Sequence, residues 1–103
     1  MARMLVIWGR PEDTQTFDRH YFGVHVPLAK KLPGLRKYEV SQGPTVHLNG
    51  ARQSYLIATL HFDNLASIHT AFASKVGQAC LADRKLLLPD AEVQTFLFED
   101  REI

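Results

Sequence analysis

The sequence has a single cysteine, Cys80, and no cysteine or histidine spacing typical of a metal site. One cysteine cannot form an internal disulfide, and free cysteines are most often found in the apolar core. Neither a C-x-x-C nor an H-E-x-x-H pattern is present, so we expect no bound metal. We interpret Cys80 as a small buried residue.

Charge of one sign is not in excess either, because twelve basic residues stand against eleven acidic ones, for a formal net charge of +1. A nucleic-acid-binding surface needs a concentrated basic face, whereas the basic residues here are scattered, with pairs such as Lys30-Lys31 and Arg36-Lys37. No apolar run approaches the ~20 residues of a membrane span, and residues 1–3 do not begin a signal peptide. We therefore expect a cytoplasmic protein that binds neither nucleic acid nor membranes.

The composition that is present, 46% hydrophobic and 22% charged residues over 103 positions, is typical of one globular domain. A chain of this size buries roughly two thirds of its unfolded surface on folding. We expect one domain over residues 1–103.

Four segments have the patterns of β-strands. Residues 4–8 are almost wholly apolar and end at Gly9, while residues 35–42, 54–62 and 92–98 alternate with a period near two. A polar loop from Gly43-Pro44 to Arg52 separates the second and third. One face of the third strand carries Leu56, Ala58, Leu60 and Phe62, and the other carries Tyr55, Ile57, Thr59 and His61.

Two helical regions lie between these strands. Asp13 is placed to cap the first helix, but Pro27 lacks an amide hydrogen and crowds the carbonyl of Gly23, so the helix should kink or stop around His25. Its apolar stripe is Phe17, Tyr21, Val24 and Leu28.

The second helical region has Asp63 and Asn64 as capping residues, and Ser74 can restart it as a separate helix. Pro89 then ends it. Its first part has a stripe of Leu65, Ile68, His69 and Phe72, and its second part contains Val76, Cys80 and Leu87.

The resulting order β-α-β-β-α-β predicts an α+β fold of the ferredoxin-like type, with two helical regions covering one face of a four-stranded antiparallel sheet. The other face, with Tyr55 and Ile57, would expose more apolar surface than monomers usually tolerate. We therefore expect a homodimer.

Residues 22–40 read F-G-V-H-V-P-L-A-K-K-L-P-G-L-R-K-Y-E-V. This stretch resembles the characteristic segment of the EthD family of dimeric α/β-barrel proteins. The similarity extends to the first strand with Pro11-Glu12, to F-D-N-L at residues 62–65 and to F-L-F-E-D at residues 96–100, and so to the whole domain. The resemblance implies ferredoxin-like protomers paired sheet to sheet, each with a pocket between sheet and helices.

The functions implied by the resemblance are diverse. Many EthD-like proteins have no assigned activity. The founding association is with ethyl tert-butyl ether breakdown, and relatives include a methylmuconolactone methyl-isomerase. Polyketide cyclases and cofactor-free or haem-degrading monooxygenases are more distant barrel relatives.

The main candidate for chemistry is His25, since an imidazole titrates near neutrality and can act as acid or base. Its alternative role is to form a hydrogen bond with a backbone carbonyl that the helix break leaves unpaired. Tyr38 could donate a hydrogen bond to a substrate carbonyl, or serve as a core tyrosine whose hydroxyl group reaches water. By resemblance to the isomerase, His25 and Tyr38 line the pocket and His47 is a third catalytic residue. The isomerase's pocket cysteine on the third strand has no counterpart here, where Leu60 stands near the matching place.

We expect the substrate-binding surface to be apolar, with plain core as the alternative interpretation. His61 is assigned to the dimer seam, and His20 and His69 to helix surfaces. The predicted substrate-binding residues are Trp8, Tyr21, Leu56, Ala58, Leu60 and Phe62.

Two classes of function follow. The first is a cofactor-independent isomerase, cyclase or lyase acting on a small apolar oxygenated or aromatic metabolite, with His25, Tyr38 and His47 handling protons. The alternative is a non-catalytic small-molecule carrier or accessory protein of a catabolic pathway. Haem or oxygen chemistry is a weaker third hypothesis because the sequence offers no second haem contact.

Overall fold

In the computed structural model, which describes residues 1–50 and 53–103, four strands form one antiparallel sheet. This confirms the predicted α+β, ferredoxin-like arrangement with helices on one face. Residues 51 and 52, which end the predicted polar loop, lie outside the described residues. The strands are β1 (Ala2–Trp8), β2 (Lys37–Val40), β3 (Leu56–Phe62) and β4 (Val93–Glu99). Their order across the sheet is β2-β3-β1-β4.

The helices begin where capping chemistry predicted. The carboxylate of Asp13 accepts a hydrogen bond from the amide of Thr16 at 3.1 Å, and Asn64 and Ser74 cap the two later helices in the same way. Asp63 does not cap but pairs with Arg36. The helical elements are α1 (Thr14–His20), a π-turn (Tyr21–His25), α2 (Val26–Ala29), α3 (Leu65–Ala73), α4 (Lys75–Leu87) and a short 3-10 turn (Asp90–Glu92).

The strand β2 is shorter than the predicted residues 35–42. Only residues 37–40 pair in regular register, although the amides of Arg36 and Ser41 still donate to β3 carbonyls at 2.8 Å. The last strand ends at Glu99, one residue beyond the prediction.

The helices cover one face of the sheet, and register identifies it. Val6 lies opposite Ala58 on β3 and Thr95 on β4, so side chains in phase with Val6 point to the helices. The predicted inner face of β3 is confirmed, since each of its members is at most 5% exposed. These are Leu56, Ala58, Leu60 and Phe62.

Tyr55 was assigned to the open face, and this was wrong. It precedes β3, its hydroxyl donates to the carboxylate of Asp18 on α1 at 2.9 Å, and its ring meets the edge of Phe17. The first residue before a strand is not held to the strand's alternation, so Tyr55 can turn towards the helix.

The open face of the sheet mixes apolar and charged residues. His61 lies on this face as predicted, with its Nε2 atom 2.6 Å from Glu39 and its ring against Arg3. Phe96 and Phe98 on β4 are 48% and 40% exposed. Leu5, Ile7 and Ile57 belong to the same face by register.

None of the helices in the described ranges combines the length and the apolar character that crossing a bilayer requires.

Candidate functional site

A π-turn at Tyr21–His25 joins α1 to α2 without ending the helix. The amide of Val26 donates to the carbonyl of Tyr21, five residues back, which widens the helix by one residue. Pro27, which has no amide hydrogen, then sits in the first turn of α2, where none is needed. The predicted disturbance is therefore present, but as a wider turn rather than a stop.

The extra residue in the π-turn changes which side chains face the core. His25 is 8% exposed and Ala29 is 4% exposed, whereas Val24, assigned to the apolar stripe, is 50% exposed. The assignment of Val24 was wrong because it assumed uninterrupted α-helical spacing after Tyr21. Because of the π-turn, His25 faces the core where regular α-helical spacing would place Val24.

The imidazole of His25 is hydrogen-bonded through only one of its two nitrogens among the described residues. Its Nδ1 atom lies 2.8 Å from an oxygen of Asp83, and its ring stacks on Tyr21 with centroids 5.5 Å apart. Burial lowers the pKa of His25 although Asp83 opposes the shift. The ring is therefore neutral at neutral pH, with Nδ1–H donating to the carboxylate and Nε2 without a partner among the described residues.

Asp83, on α4, also bonds a second histidine that sequence reasoning had placed on the helix surface. The Nε2 atom of His20 lies 2.8 Å from the other carboxylate oxygen, and the His20 side chain is 33% exposed. His20 therefore lies at the helix surface as assigned, but its bond to Asp83 was not predicted; His69 is exposed as expected. The signal for Asp83 was available: a carboxylate in phase with the apolar residues of α4 at Val76 and Cys80.

Two tyrosine hydroxyls form a second polar group, here called the hydroxyl pair. The hydroxyl oxygens of Tyr21 and Tyr38 lie 2.7 Å apart. Burial raises the pKa of Tyr38 to about 12 and also raises the pKa of Tyr21, so both stay protonated. Tyr21 is fully buried. If Tyr21 donates to Tyr38, the more accessible hydroxyl of Tyr38 is left free to donate to another group.

These groups surround a cavity of about 240 Å³ between the sheet and the helices, here called the sheet–helix cavity. Of the predicted site residues, it brings together His25, Tyr38, Trp8, Tyr21, Ala58 and Leu60.

Two predicted substrate-binding residues lie elsewhere. Phe62 is fully buried in the core and does not line the sheet–helix cavity, and Leu56 faces a different depression. Both share the inner face of β3 with Ala58 and Leu60, but they lie at its two ends, beyond the reach of the cavity. Period-two alternation identifies a face and not the position of a pocket along it.

His47, predicted as the third catalytic residue, is not brought to His25 and Tyr38. It is exposed in the loop after β2, where its Nε2 atom accepts a hydrogen bond from the amide of Ser54 at 2.9 Å. It lines a separate, wider depression together with Arg10 and Tyr55. In this arrangement the imidazole holds the loop together, and its catalytic role stays a prediction.

Cys80 lines the sheet–helix cavity from α4, facing the sheet. It is 4% exposed, which confirms the expectation of a small buried residue. Burial raises the pKa of its thiol to about 11, so it is a neutral group at this site. A thiol in this state contributes apolar surface rather than a nucleophile.

Trp8 closes the inner end of the site as part of the core, one of the two roles predicted for it. It is 1% exposed and meets the rings of Phe17, Tyr21 and His25 edge-on at 5.5 to 5.8 Å. Its indole N–H is buried and has no hydrogen-bond partner among the described residues. Trp8 therefore holds the His25 and Tyr21 rings in place through packing.

Within residues 1–50 and 53–103, no group of three or more histidine, cysteine, aspartate or glutamate side chains is arranged to hold a metal ion.

Comparison with known proteins agrees with this fold. The sequence model of the EthD domain family matches residues 10–88 of the chain. An uncharacterised 11.0 kDa protein from the thcB–thcC intergenic region of Rhodococcus erythropolis is 36% identical over 84 residues, which cover 81% of this chain and 80% of that protein.

Solved structures extend the comparison to nearly the full length. An ethyl tert-butyl ether d (EthD) family protein from Bacillus halodurans C-125 superposes with a TM-score of 0.86 at 28% identity, covering 98% of this chain and 99% of that one. A dimeric ferredoxin-like protein of unknown function from Thermobifida fusca YX gives a TM-score of 0.67 at 15% identity, over 94% and 88% of the two chains. At that identity the similarity shows the fold.

Proposed function

Because the chain belongs to the EthD family, we propose that it binds a small, apolar, oxygen-containing molecule in the sheet–helix cavity and moves a proton on it. The observation that carries this proposal is the placement of a neutral imidazole and a neutral hydroxyl pair on one apolar cavity. A pocket that is mostly apolar with few polar groups suits a small organic ligand. A cavity volume of about 240 Å³ favours a ligand of small size.

The chemistry follows from which atoms are free. Nε2 of His25 can take a proton from a ligand carbon next to a carbonyl, and the electron pair left behind forms an enolate. Tyr38 can donate a hydrogen bond to the enolate oxygen while keeping its proton, since the hydroxyl pair is protonated and preorganised. Return of the proton from His25 to a different atom gives an isomer. If the proton on His25 is first replaced by one from solvent, return to the original carbon gives exchange.

Homodimer formation is part of the proposal. The open face of the sheet presents Phe96 and Phe98 beside Leu5 and Ile7, and pairing with a second copy would remove this apolar surface from water. His61 would then lie at the seam, as its place on that face favours. Sedimentation at several concentrations tests this, with Phe96→Glu expected to give monomers; a monomeric parent protein would refute it.

The experiment for the proton step needs no knowledge of the physiological substrate. Small lactones, enones and aromatic ketones are screened for a rise in melting temperature, since a ligand that binds the folded state stabilises it. Compounds that bind are then incubated in D₂O, and deuterium at their carbon atoms is followed by NMR. We expect enzyme-dependent exchange that falls by about 10²-fold or more in His25→Gln, the scale of a lost general base.

Matched variants separate the outcomes. Leu60→Trp fills the cavity and should abolish binding, whereas His69→Gln, an exposed histidine on α3, should change neither binding nor exchange. Binding without deuterium exchange would support the carrier function instead. Binding that survives Leu60→Trp would refute the cavity as the site.

A further inference from the structure

We propose that Asp83 and His20 are positioning residues for His25: the Asp83 carboxylate fixes which ring nitrogen of His25 carries the proton, and the charge of His20 tunes how readily the other nitrogen accepts one. This inference rests on the proposed function of His25 as the proton acceptor. It adds two residues, from α4 and α1, that the sequence patterns did not connect.

The geometry leaves the carboxylate of Asp83 little freedom. One oxygen lies 2.8 Å from Nδ1 of His25 and the other 2.8 Å from Nε2 of His20. An ionised carboxylate only accepts hydrogen bonds, so both imidazole nitrogens must carry their hydrogens. His25 is thereby held as the tautomer with Nδ1–H, and Nε2 is left as the basic atom towards the ligand.

The π-turn makes this bridge possible. His20 and His25 are five residues apart, and in a regular α-helix two such residues point about 140° away from each other. Within a π-turn, residues five apart are hydrogen-bonded neighbours on the same side. One carboxylate on α4 can therefore reach both imidazoles, which regular α-helical spacing would separate.

Asp83 and His20 have opposite effects on the pKa of His25. Burial is the strongest influence and lowers the pKa of His25, while the hydrogen bond and negative charge of Asp83 raise it. Positive charge on His20, and to a lesser extent on Arg84, lowers it. The remaining titratable groups that line the cavity with His25 are Tyr21, Tyr38 and Cys80, all of which are neutral at neutral pH.

The test records the ¹⁵N imidazole signals of ligand-free protein across pH, which report tautomer and pKa for each histidine. In the parent protein we expect His25 to be the Nδ1–H tautomer. Asp83→Asn should lower the pKa of His25 and remove the tautomer preference, because an amide can present either oxygen or nitrogen to the ring. His20→Gln keeps a donor to Asp83 but removes the charge, so it should raise the pKa of His25 and preserve the tautomer.

Opposite signs for the two variants support the proposal. If both shift the pKa of His25 in the same direction, or if neither changes it, the proposal is overturned. His69→Gln is the control and should leave the His25 signals unchanged; Trp8 fluorescence verifies that each variant is folded.

A purely structural role would lower the melting temperature without this pattern of signs. Because no ligand is present, failure here would leave the proposed binding function standing. Conversely, the protein could show the expected Nδ1–H tautomer of His25 and yet exchange no ligand proton. That result would refute the proposed proton step and leave the positioning roles of Asp83 and His20 standing.

Discussion

Gly77 lies where α4 begins, at its closest approach to α3, and a single methyl group there should be costly. A Cβ atom added at Gly77 would lie 2.2 Å from the carbonyl oxygen of Ala71 and 2.4 Å from the Cα atom of Phe72. Both are backbone atoms, so no side chain can rotate out of the way. Non-bonded heavy atoms need about 3.5 Å, which means that the helices must separate locally by roughly 1 Å.

We expect Gly77→Ala to lower the free energy of unfolding by about 2–3 kcal/mol, the upper part of the range for overpacked cores, after allowing for the better helix propensity of alanine. For a domain of about 100 residues this corresponds to a fall in melting temperature of roughly 10–20 °C. Urea denaturation followed by Trp8 fluorescence and a calorimetric scan would measure both values.

The same substitution at Gly23 is the matched control. Nothing lies within 4 Å of a Cβ atom built there, and the residue is exposed in the π-turn. Gly23→Ala should therefore be neutral or stabilise by up to about 1 kcal/mol, because alanine reduces the conformational entropy of the unfolded chain. A Gly77→Ala protein as stable as the parent would refute the close packing of α3 and α4 described above.

Two further predictions concern the site. Burial lowers the pKa of His25, so this residue is protonated at about pH 6.5 in the unfolded chain but only at a lower pH in the folded state. The free energy of unfolding should therefore fall as pH drops from 7 to 5. The urea midpoint should show a weaker pH dependence in His25→Gln, and an equal one would contradict the shift. Tyr38→Phe leaves the Tyr21 hydroxyl buried without a partner and should cost about 1–3 kcal/mol, whereas changing both to Phe should restore part of the loss; a double variant less stable than Tyr38→Phe would argue against the hydroxyl pair.

Local chemistry accounts for the parts of the fold that the sequence predicts. Asp13, Asn64 and Ser74 cap helices because their side chains satisfy amides three residues ahead, an interaction contained within a few residues. The buried face of β3 follows from its alternation. Both signals depend on neighbours along the chain and need no knowledge of the tertiary structure.

The unpredicted parts of the site depend on contacts between distant residues. The bond between His20 and Asp83 joins positions 63 residues apart, and nothing in either local segment identifies the other. Pro27 signals a disturbed helix, but whether the helix stops or widens depends on packing against α4 and the sheet. His47 was placed by family resemblance, and its hydrogen bond to Ser54 depends on the loop conformation.

The position of β4 at the sheet edge has a consequence for solubility. Among the residues that the structure describes, this strand pairs with β1 alone, and its seven residues include Phe96, Leu97 and Phe98, all at least 40% exposed. A free apolar edge of this kind can template pairing between unfolded or partly folded chains. Glu99 ends the strand and Asp100, Arg101 and Glu102 follow it, and we expect these charges to oppose such pairing. Neutralising the charges at this end of β4 should therefore increase aggregation during refolding.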